Sequence, residues 1–296
     1  MNLKELMGPM RLPFLVLAPV CVLLGIGTAY WSTGQINALY AILALIGGVA
    51  AHISVNVFNE YFDFKSGLDE ETERTPFSGG SGTLQAHPEL ARPALRLAII
   101  ALLIVALIGV YFMIVWGWSL LPLGLLGLLI IFAYTPWLAL NAFACLIAPG
   151  LGFGMLMVTG TNFVLMNEYT GTAFMASLVP FFLVSDLLLL NQFPDVDADR
   201  TVGRQHFPIV IGRKNSSLIY AAFLAAAYLS ILLGVLTGYL PVTTLLGLLT
   251  IFLAVPVALG VHKNADDIPN LLPFMGKNVL INILTPVLVA IGLFLG

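Results

Sequence analysis

Long apolar runs alternate with short polar breaks along the whole chain. Several runs approach about 20 residues, the length at which a helix crosses a bilayer. The pattern predicts an all-α protein with nine spans, near 12–31, 37–60, 94–116, 120–134, 138–163, 172–192, 215–237, 241–261 and 277–295. The fourth run is the shortest. An odd number of spans places the two termini on opposite sides of the membrane.

Composition agrees with a bilayer setting. Hydrophobic residues make up 59% of the chain and charged residues only 9%. A soluble domain carries about 25% charged residues, because it needs a polar surface even around a large core. The expected unit is a single transmembrane domain over 1–296. The two cysteines, Cys21 and Cys145, lie within apolar runs and form no disulfide or zinc pattern. The N-terminus passes from Lys4 and Arg11 into a full-length span, so no cleavable signal peptide is expected.

Charge placement tests the span count. The 12 basic residues are Lys4, Arg11, Lys65, Arg74, Arg92, Arg96, Arg200, Arg204, Arg213, Lys214, Lys263 and Lys277. With nine spans all of them fall on the N-terminal side, which the positive-inside rule makes cytoplasmic. Acidic residues do not set topology, yet they crowd two loops of that same side, 61–92 and 193–214. These loops follow spans two and six.

The first acidic motif runs Asn56-Val-Phe-Asn59-Glu60-Tyr-Phe-Asp63-Phe-Lys65-Ser-Gly-Leu-Asp69. Helix spacing of three and four puts His52, Asn56, Asn59, Glu60 and Asp63 on one polar stripe at the cytoplasmic end of span two. Helix capping would need one such residue, whereas a stripe of five points to a site facing protein or water. The second motif runs Asn191-Gln192-Phe-Pro-Asp195-Val-Asp197-Ala-Asp199-Arg200-Thr-Val-Gly-Arg204, with Asp195 and Asp199 again four apart. Oxygen donors without cysteine suit Mg²⁺, which favours a few carboxylates plus substrate phosphates. Two facing clusters could hold two ions with a diphosphate between them. The candidate metal ligands are Asn59, Glu60, Asp63, Asp69, Asn191, Asp195 and Asp199. Lys65 and Arg74, with Arg200, Arg204 and Lys214, are candidate phosphate contacts, Arg204 first among them; for each alone, the positive-inside rule or lipid contact is the competing explanation. Asn56 and Tyr134 complete the candidate substrate-binding set, and Phe58, Tyr61 and Phe193 are further aromatic candidates, since aromatic faces attract cations. The stretch Ser78-Gly79-Gly80-Ser81-Gly82 reads equally as a linker or as a phosphate-covering lid.

Together these motifs resemble the UbiA superfamily of intramembrane prenyltransferases, over nearly the whole chain. Asn59, Glu60 and Asp63 are similar to the opening of its Asn-Asp-x-x-Asp-x-x-x-Asp motif, with Glu for Asp; Asp69 stands two residues past the motif's last position. Asp195 and Asp199 match its Asp-x-x-x-Asp motif. The displaced Asp69 and the Gly203-Arg204 pair resemble the menaquinone-pathway branch, which prenylates 1,4-dihydroxy-2-naphthoate. The resemblance implies Mg²⁺-assisted ionisation of an isoprenoid diphosphate and attack by a small aromatic acceptor, with Asp63, Asp195 and Asp199 in the catalytic set. That branch carries an acid in span five where this chain reads Gly150-Leu151-Gly152-Phe153-Gly154. Asp186, inside span six and about 13 Å below Asp195 along an ideal helix, is expected on the Asp195 face as the replacement carboxylate and fourth catalytic candidate. An acceptor such as 4-hydroxybenzoate is the alternative within the superfamily, and an ion-coupled transporter using Asp186 and His52 is the alternative outside it. The expected partners are an isoprenoid diphosphate, the acceptor and membrane lipid, with no nucleic acid. The expected location is a bacterial or archaeal cell membrane, with the site facing the cytoplasm.

Overall fold

The computed structural model describes residues 5–68 and 74–296. Among these the chain is helical, with no strand. Eight helices are long and apolar enough to cross a membrane. In chain order the principal helices are α1 (Leu17–Thr33), α2 (Ala38–Ser66), α3 (Ala91–Trp116), α4 (Leu121–Ala133), α5 (Ala142–Met166), α6 (Gly171–Asn191), α7 (Arg213–Leu236), α8 (Val242–Lys263) and α9 (Ile268–Leu295). The polar breaks in the sequence serve as caps. The side chains of Asn37, Asn141, Thr170 and Asp267 accept hydrogen bonds from backbone N–H groups at the starts of α2, α5, α6 and α9.

The expected count of nine spans meets one exception in α4. It has 13 residues, about 20 Å at 1.5 Å per residue, against a hydrocarbon core of about 30 Å. A 3₁₀ turn, Trp118–Leu120, precedes it. Even so, α4 joins the two ends of the bundle. Leu120 packs at its start against Phe112, Phe163 and Val164. Just beyond its end, the Thr135 hydroxyl accepts a hydrogen bond from Asn59 on α2 at 3.2 Å.

Two further boundaries differ from the sequence reading. Helix α2 continues to Ser66 rather than stopping near 60, because Phe62 and Phe64 extend its packing on the apolar cluster around Val57; Gly67, at φ 77°, ends it. Helix α9 starts at Ile268 rather than 277, tolerating Pro273 within it. At the other end of α9, Phe294 packs on Tyr30 of α1, with ring centroids 5.2 Å apart. The C-terminal residues therefore lie at the end of the bundle away from Arg11 and Asp63.

The main core joins α1, α5, α6, α7, α8 and α9, with Leu24, Leu183, Ile231 and Val257 fully buried. A second cluster joins α2, α3 and α4 around Val57, Ala98 and Ile131. Large apolar side chains on the rim, such as Ile114 and Phe252, stay exposed, as lipid-facing positions do. Between the two clusters α5 is interrupted by a π-helical turn, Leu151–Leu156. This is the glycine-rich stretch marked in the sequence for its missing acid. Its glycines allow close packing: a Cβ on Gly154 would collide with the Phe181 backbone of α6, and one on Gly150 with the Phe181 carbonyl. Backbone cannot move aside as a side chain can. Gly154→Ala is therefore expected to cost about 1–3 kcal/mol, seen as a lowered melting temperature in detergent, whereas Gly152→Ala, with nothing within 4 Å of its Cβ, leaves it unchanged.

Candidate active site

The two acidic motifs meet at one end of the bundle. Asn59 and Asp63 occupy the last turns of α2. The second motif leaves α6 at Asn191, and a short helix, Val196–Thr201, carries Asp199. Gly203, at φ 79°, reverses the chain so that the Arg204 N–H bonds the Asp199 carbonyl at 3.1 Å. The Arg204 side chain then spans both motifs: one Nη donates to Asp199 Oδ1 at 2.8 Å and the other to Asp63 Oδ1. His206 Nε2 lies 2.7 Å from the second oxygen of Asp199. Burial works against the Arg204 charge, but the carboxylates of Asp63 and Asp199 outweigh it and hold the guanidinium more firmly protonated than usual.

These residues border a polar chamber of about 90 Å³. Asp195 also lies in its wall. Burial, reinforced by the charge of Asp199, pushes the Asp195 carboxyl up to about 7, against hydrogen bonds from the Ser78 hydroxyl and the Gly79 N–H. Its Oδ1 is buried without a hydrogen-bond partner. Such a carboxylate calls for a proton or a cation.

Beneath the chamber lies an apolar cavity of about 450 Å³. The two share Arg11, Asn59, Phe77, Tyr134, Leu188 and Asn191 as walls. The cavity runs between α2, α3, α4, α5 and α6 as far as Phe112, Leu120 and Val164, at the opposite end of the bundle. A charged head with a long hydrocarbon tail matches this pair of compartments.

The fold brings Asn59, Asp63, Asn191, Asp195, Asp199, Arg204 and Tyr134 together around one chamber. Asn56 lies in the wall of the apolar cavity, its amide held by the Met10 carbonyl at 3.0 Å. Asp69 lies outside the described residues. Other expectations need correction. Glu60 does not face the chamber: its carboxylate accepts from Arg11 Nε, the Ser81 N–H and the Ser81 hydroxyl, each at 2.8 Å. One step of about 100° from Asn59 turns it toward Ser81 and its glycine-rich stretch 78–82. Lys65, Arg74, Arg200 and Lys214 do not line the chamber either. Lys65 and Arg200 are exposed, Arg74 bonds Gln85, and Lys214 bonds the His262 carbonyl. Flexible basic side chains at a membrane surface find water and carbonyls without entering a site.

Asp186 is fully buried but lines neither cavity. Leu187, Leu188 and Asn191 are the α6 residues that do. Nine steps of about 100° make two and a half turns, so even a continuous helix would set Asp186 opposite Asp195 rather than on its face. Phe193 is likewise buried in the main core, and Phe58 packs on Phe62 and Phe132. Three site residues escaped the sequence reading in this role. Arg11 passed as a topological charge, and Gln192 as a neighbour of Asn191. His206 left one signal, being the sole histidine of loop 193–214.

Comparison with known proteins adds to this geometry. Residues 18–280 match the UbiA prenyltransferase family. The chain is 30% identical over 222 residues to a 1,4-dihydroxy-2-naphthoate octaprenyltransferase of Bacillus subtilis, covering 74% of this chain and 70% of that protein. It is 25% identical over 260 residues to a digeranylgeranylglyceryl phosphate synthase of Pyrococcus furiosus, covering 82% and 83%. Among solved structures, a UbiA homolog from Aeropyrum pernix superposes with a TM-score of 0.69 at 17% identity, over 94% of this chain and 97% of that one. A UbiA homolog from Archaeoglobus fulgidus, bound to GPP and Mg²⁺, superposes with a TM-score of 0.60 at 14% identity, over 97% and 99%. At these identities the two structures establish a shared fold.

Proposed function

Because this chain belongs to the UbiA prenyltransferase family, we propose that it transfers a prenyl group from an isoprenoid diphosphate to 1,4-dihydroxy-2-naphthoate or a related quinone precursor. The observation that carries the reading is the polar chamber set directly on the apolar cavity, with six residues common to both walls. The diphosphate occupies the chamber and the hydrocarbon tail the cavity. The 30% identity to a naphthoate octaprenyltransferase favours that acceptor. The similarity to a digeranylgeranylglyceryl phosphate synthase, together with the absence of an acid in the α5 glycine stretch, favours a non-naphthoate acceptor as the second reading.

The donor set fits Mg²⁺. Among the described residues no three His, Cys, Asp or Glu side chains converge as a protein-only cage. Mg²⁺ does not require one, since it binds through a few carboxylates, water and substrate phosphates. The unpartnered Asp195 Oδ1 is a free ligand position of that kind. Asn59, Asp63, Asn191, Asp195 and Asp199, joined by Asp69, would hold the ions. When bound they neutralise the charge that develops on the departing diphosphate. Arg204 and Arg11 add fixed positive charge at the chamber wall, and Tyr134 presents its ring where chamber meets cavity. The apolar lining keeps water from the allylic carbon.

The test is direct. Purified protein is given geranyl, farnesyl and longer diphosphates with dihydroxynaphthoate, 4-hydroxybenzoate or geranylgeranylglyceryl phosphate, in Mg²⁺ or in EDTA, and products are read by mass spectrometry. Prenylated dihydroxynaphthoate formed only with Mg²⁺ supports the reading. Product from another acceptor alone moves the assignment to the second reading.

Asp195 makes Mg²⁺ binding depend on pH. Burial pushes its carboxyl up to about 7, and a proton there competes with the cation. Raising the pH from 6 to 8 should therefore tighten apparent Mg²⁺ affinity, with a slope of up to about tenfold per unit below 7 and a plateau above it. Calorimetry across that range would reveal the slope, and Asp195→Asn should flatten it.

The orientation proposed is chamber inward, in a single domain of nine crossings within a cell membrane. The one-sided placement of the 12 basic residues supports it, as does the course of α4 between the two ends of the bundle. A reporter fused after Gly296 should read outside the cytoplasm, and one inserted near Gly82 inside. A C-terminal reporter on the cytoplasmic side would contradict nine crossings.

A further inference from the structure

Glu60 is the most enclosed charge at the chamber end, with no exposed surface. It ties three parts of the chain together. Arg11, just before α1, gives its Nε to Glu60 and an Nη to Asn59 Oδ1 at 3.1 Å. Arg11 itself sits in the left-handed region, at φ 52°, a conformation that a non-glycine residue adopts only where its surroundings impose it. Ser81 gives Glu60 both its N–H and its hydroxyl. Ser81 belongs to the glycine-rich strap, whose Gly79, Gly80 and Gly82 all have positive φ. Glycine adopts this left-handed conformation without strain, which lets the short segment fold back tightly on itself. Ser78, Gly79 and Gly80 line the chamber, as does Asp195 of the far motif. The strap therefore runs from the Glu60 carboxylate into the chamber wall.

We propose that Glu60 is a positioning residue, not a metal ligand: its buried carboxylate latches Arg11 and the strap 78–82 over the chamber, so that guanidinium and backbone N–H groups meet the diphosphate. This rests on the diphosphate reading of the chamber. Three donors converge on this one carboxylate. An aspartate, one methylene shorter, would not reach all of them from the same backbone position. An amide would keep the size but leave the Arg11 charge without its counter-charge.

The experiment separates metal binding from phosphate binding. Mn²⁺ alone is titrated by electron paramagnetic resonance. Inorganic pyrophosphate is titrated by calorimetry in saturating Mg²⁺. Glu60→Gln, Glu60→Asp, Ser81→Ala and the Glu60→Gln/Ser81→Ala pair are compared with Asp195→Asn. Glu60→Gln and Glu60→Asp are expected to hold Mn²⁺ within about twofold of the parent yet bind pyrophosphate about tenfold more weakly. Ser81→Ala should lose less, and the double variant no more than Glu60→Gln, because both act through one latch. Ser81 is exposed, so its variant carries the test should the Glu60 variants fail to fold. Loss of Mn²⁺ in Glu60→Gln equal to that in Asp195→Asn would make Glu60 a ligand and overturn the proposal. Unchanged pyrophosphate affinity in Glu60→Gln or Ser81→Ala would overturn it as well, leaving a passive buried ion pair. Undiminished Mn²⁺ binding in Asp195→Asn would instead sink the diphosphate–metal reading beneath it.

Discussion

Asp63→Asn and Asp195→Asn will each lower kcat by at least about a hundredfold to a thousandfold, the loss typical of removing one preorganised electrostatic stabiliser. Both side chains border the polar chamber. Asparagine keeps size and polarity, so packing is preserved while the charge that attracts Mg²⁺ is lost. In Asp195→Asn the substitution also removes a carboxyl that is costly to ionise in its buried place, and the metal-free protein should melt no lower than the parent. Steady-state kinetics in saturating Mg²⁺, beside a melting curve in EDTA, checks both halves. Full turnover in both variants, or full turnover of the parent in excess EDTA, would remove the metal–diphosphate mechanism.

Arg204→Gln will be costly in a different way. Arg204 ties Asp63 to Asp199, with its side chain 15% exposed and the two carboxylates 9% and 2% exposed. Removing one partner of a buried ion pair leaves uncompensated charge and costs about 3–5 kcal/mol. The metal-free variant should melt well below the parent, because Asp63 and Asp199 lose the cation that joins them. Added Mg²⁺ should recover more stability in the variant than in the parent, since a divalent cation satisfies the same two carboxylates. Catalytic efficiency should still fall, because Arg204 is one of the basic groups that reach the chamber. Arg204→Lys should recover only part of both losses: a single ammonium cannot fork between two carboxylates as a guanidinium does. Equal melting of Arg204→Gln and the parent in EDTA would show that the bridge carries no weight in the free protein.

Both predictions use residues that the sequence already marked, and the reason is local. Asn59 and Asp63 share a face because they are four apart on one helix, and Asp195 and Asp199 are likewise four apart. Helical periodicity fixes such relations without any tertiary contact. Span positions were legible for a similar reason. The bilayer demands runs of apolar residues, and eight of the nine expected runs are helices long and apolar enough to cross one. Boundaries moved at helix ends: α2 gained the residues up to Ser66 and α9 began nine residues early.

What only the tertiary structure decided is which polar groups actually converge. Glu60 and Asn59 are adjacent in the chain, yet one faces the strap and the other the chamber. Arg11 enters the site from a different segment, 48 residues before Asn59, and no local pattern separates it from the other basic residues at the membrane surface. Asp186 shows the converse: an acid within a span draws the eye, but its side of α6 is set by the packing of α6 between the cavity and the main core. The sequence by itself determined membrane residence, the helical periods and the chemistry of the two motifs, because each depends on residue type and spacing along one element. The division between chamber, latch and core depends on how distant elements pack, and that relation exists only once the chain has folded.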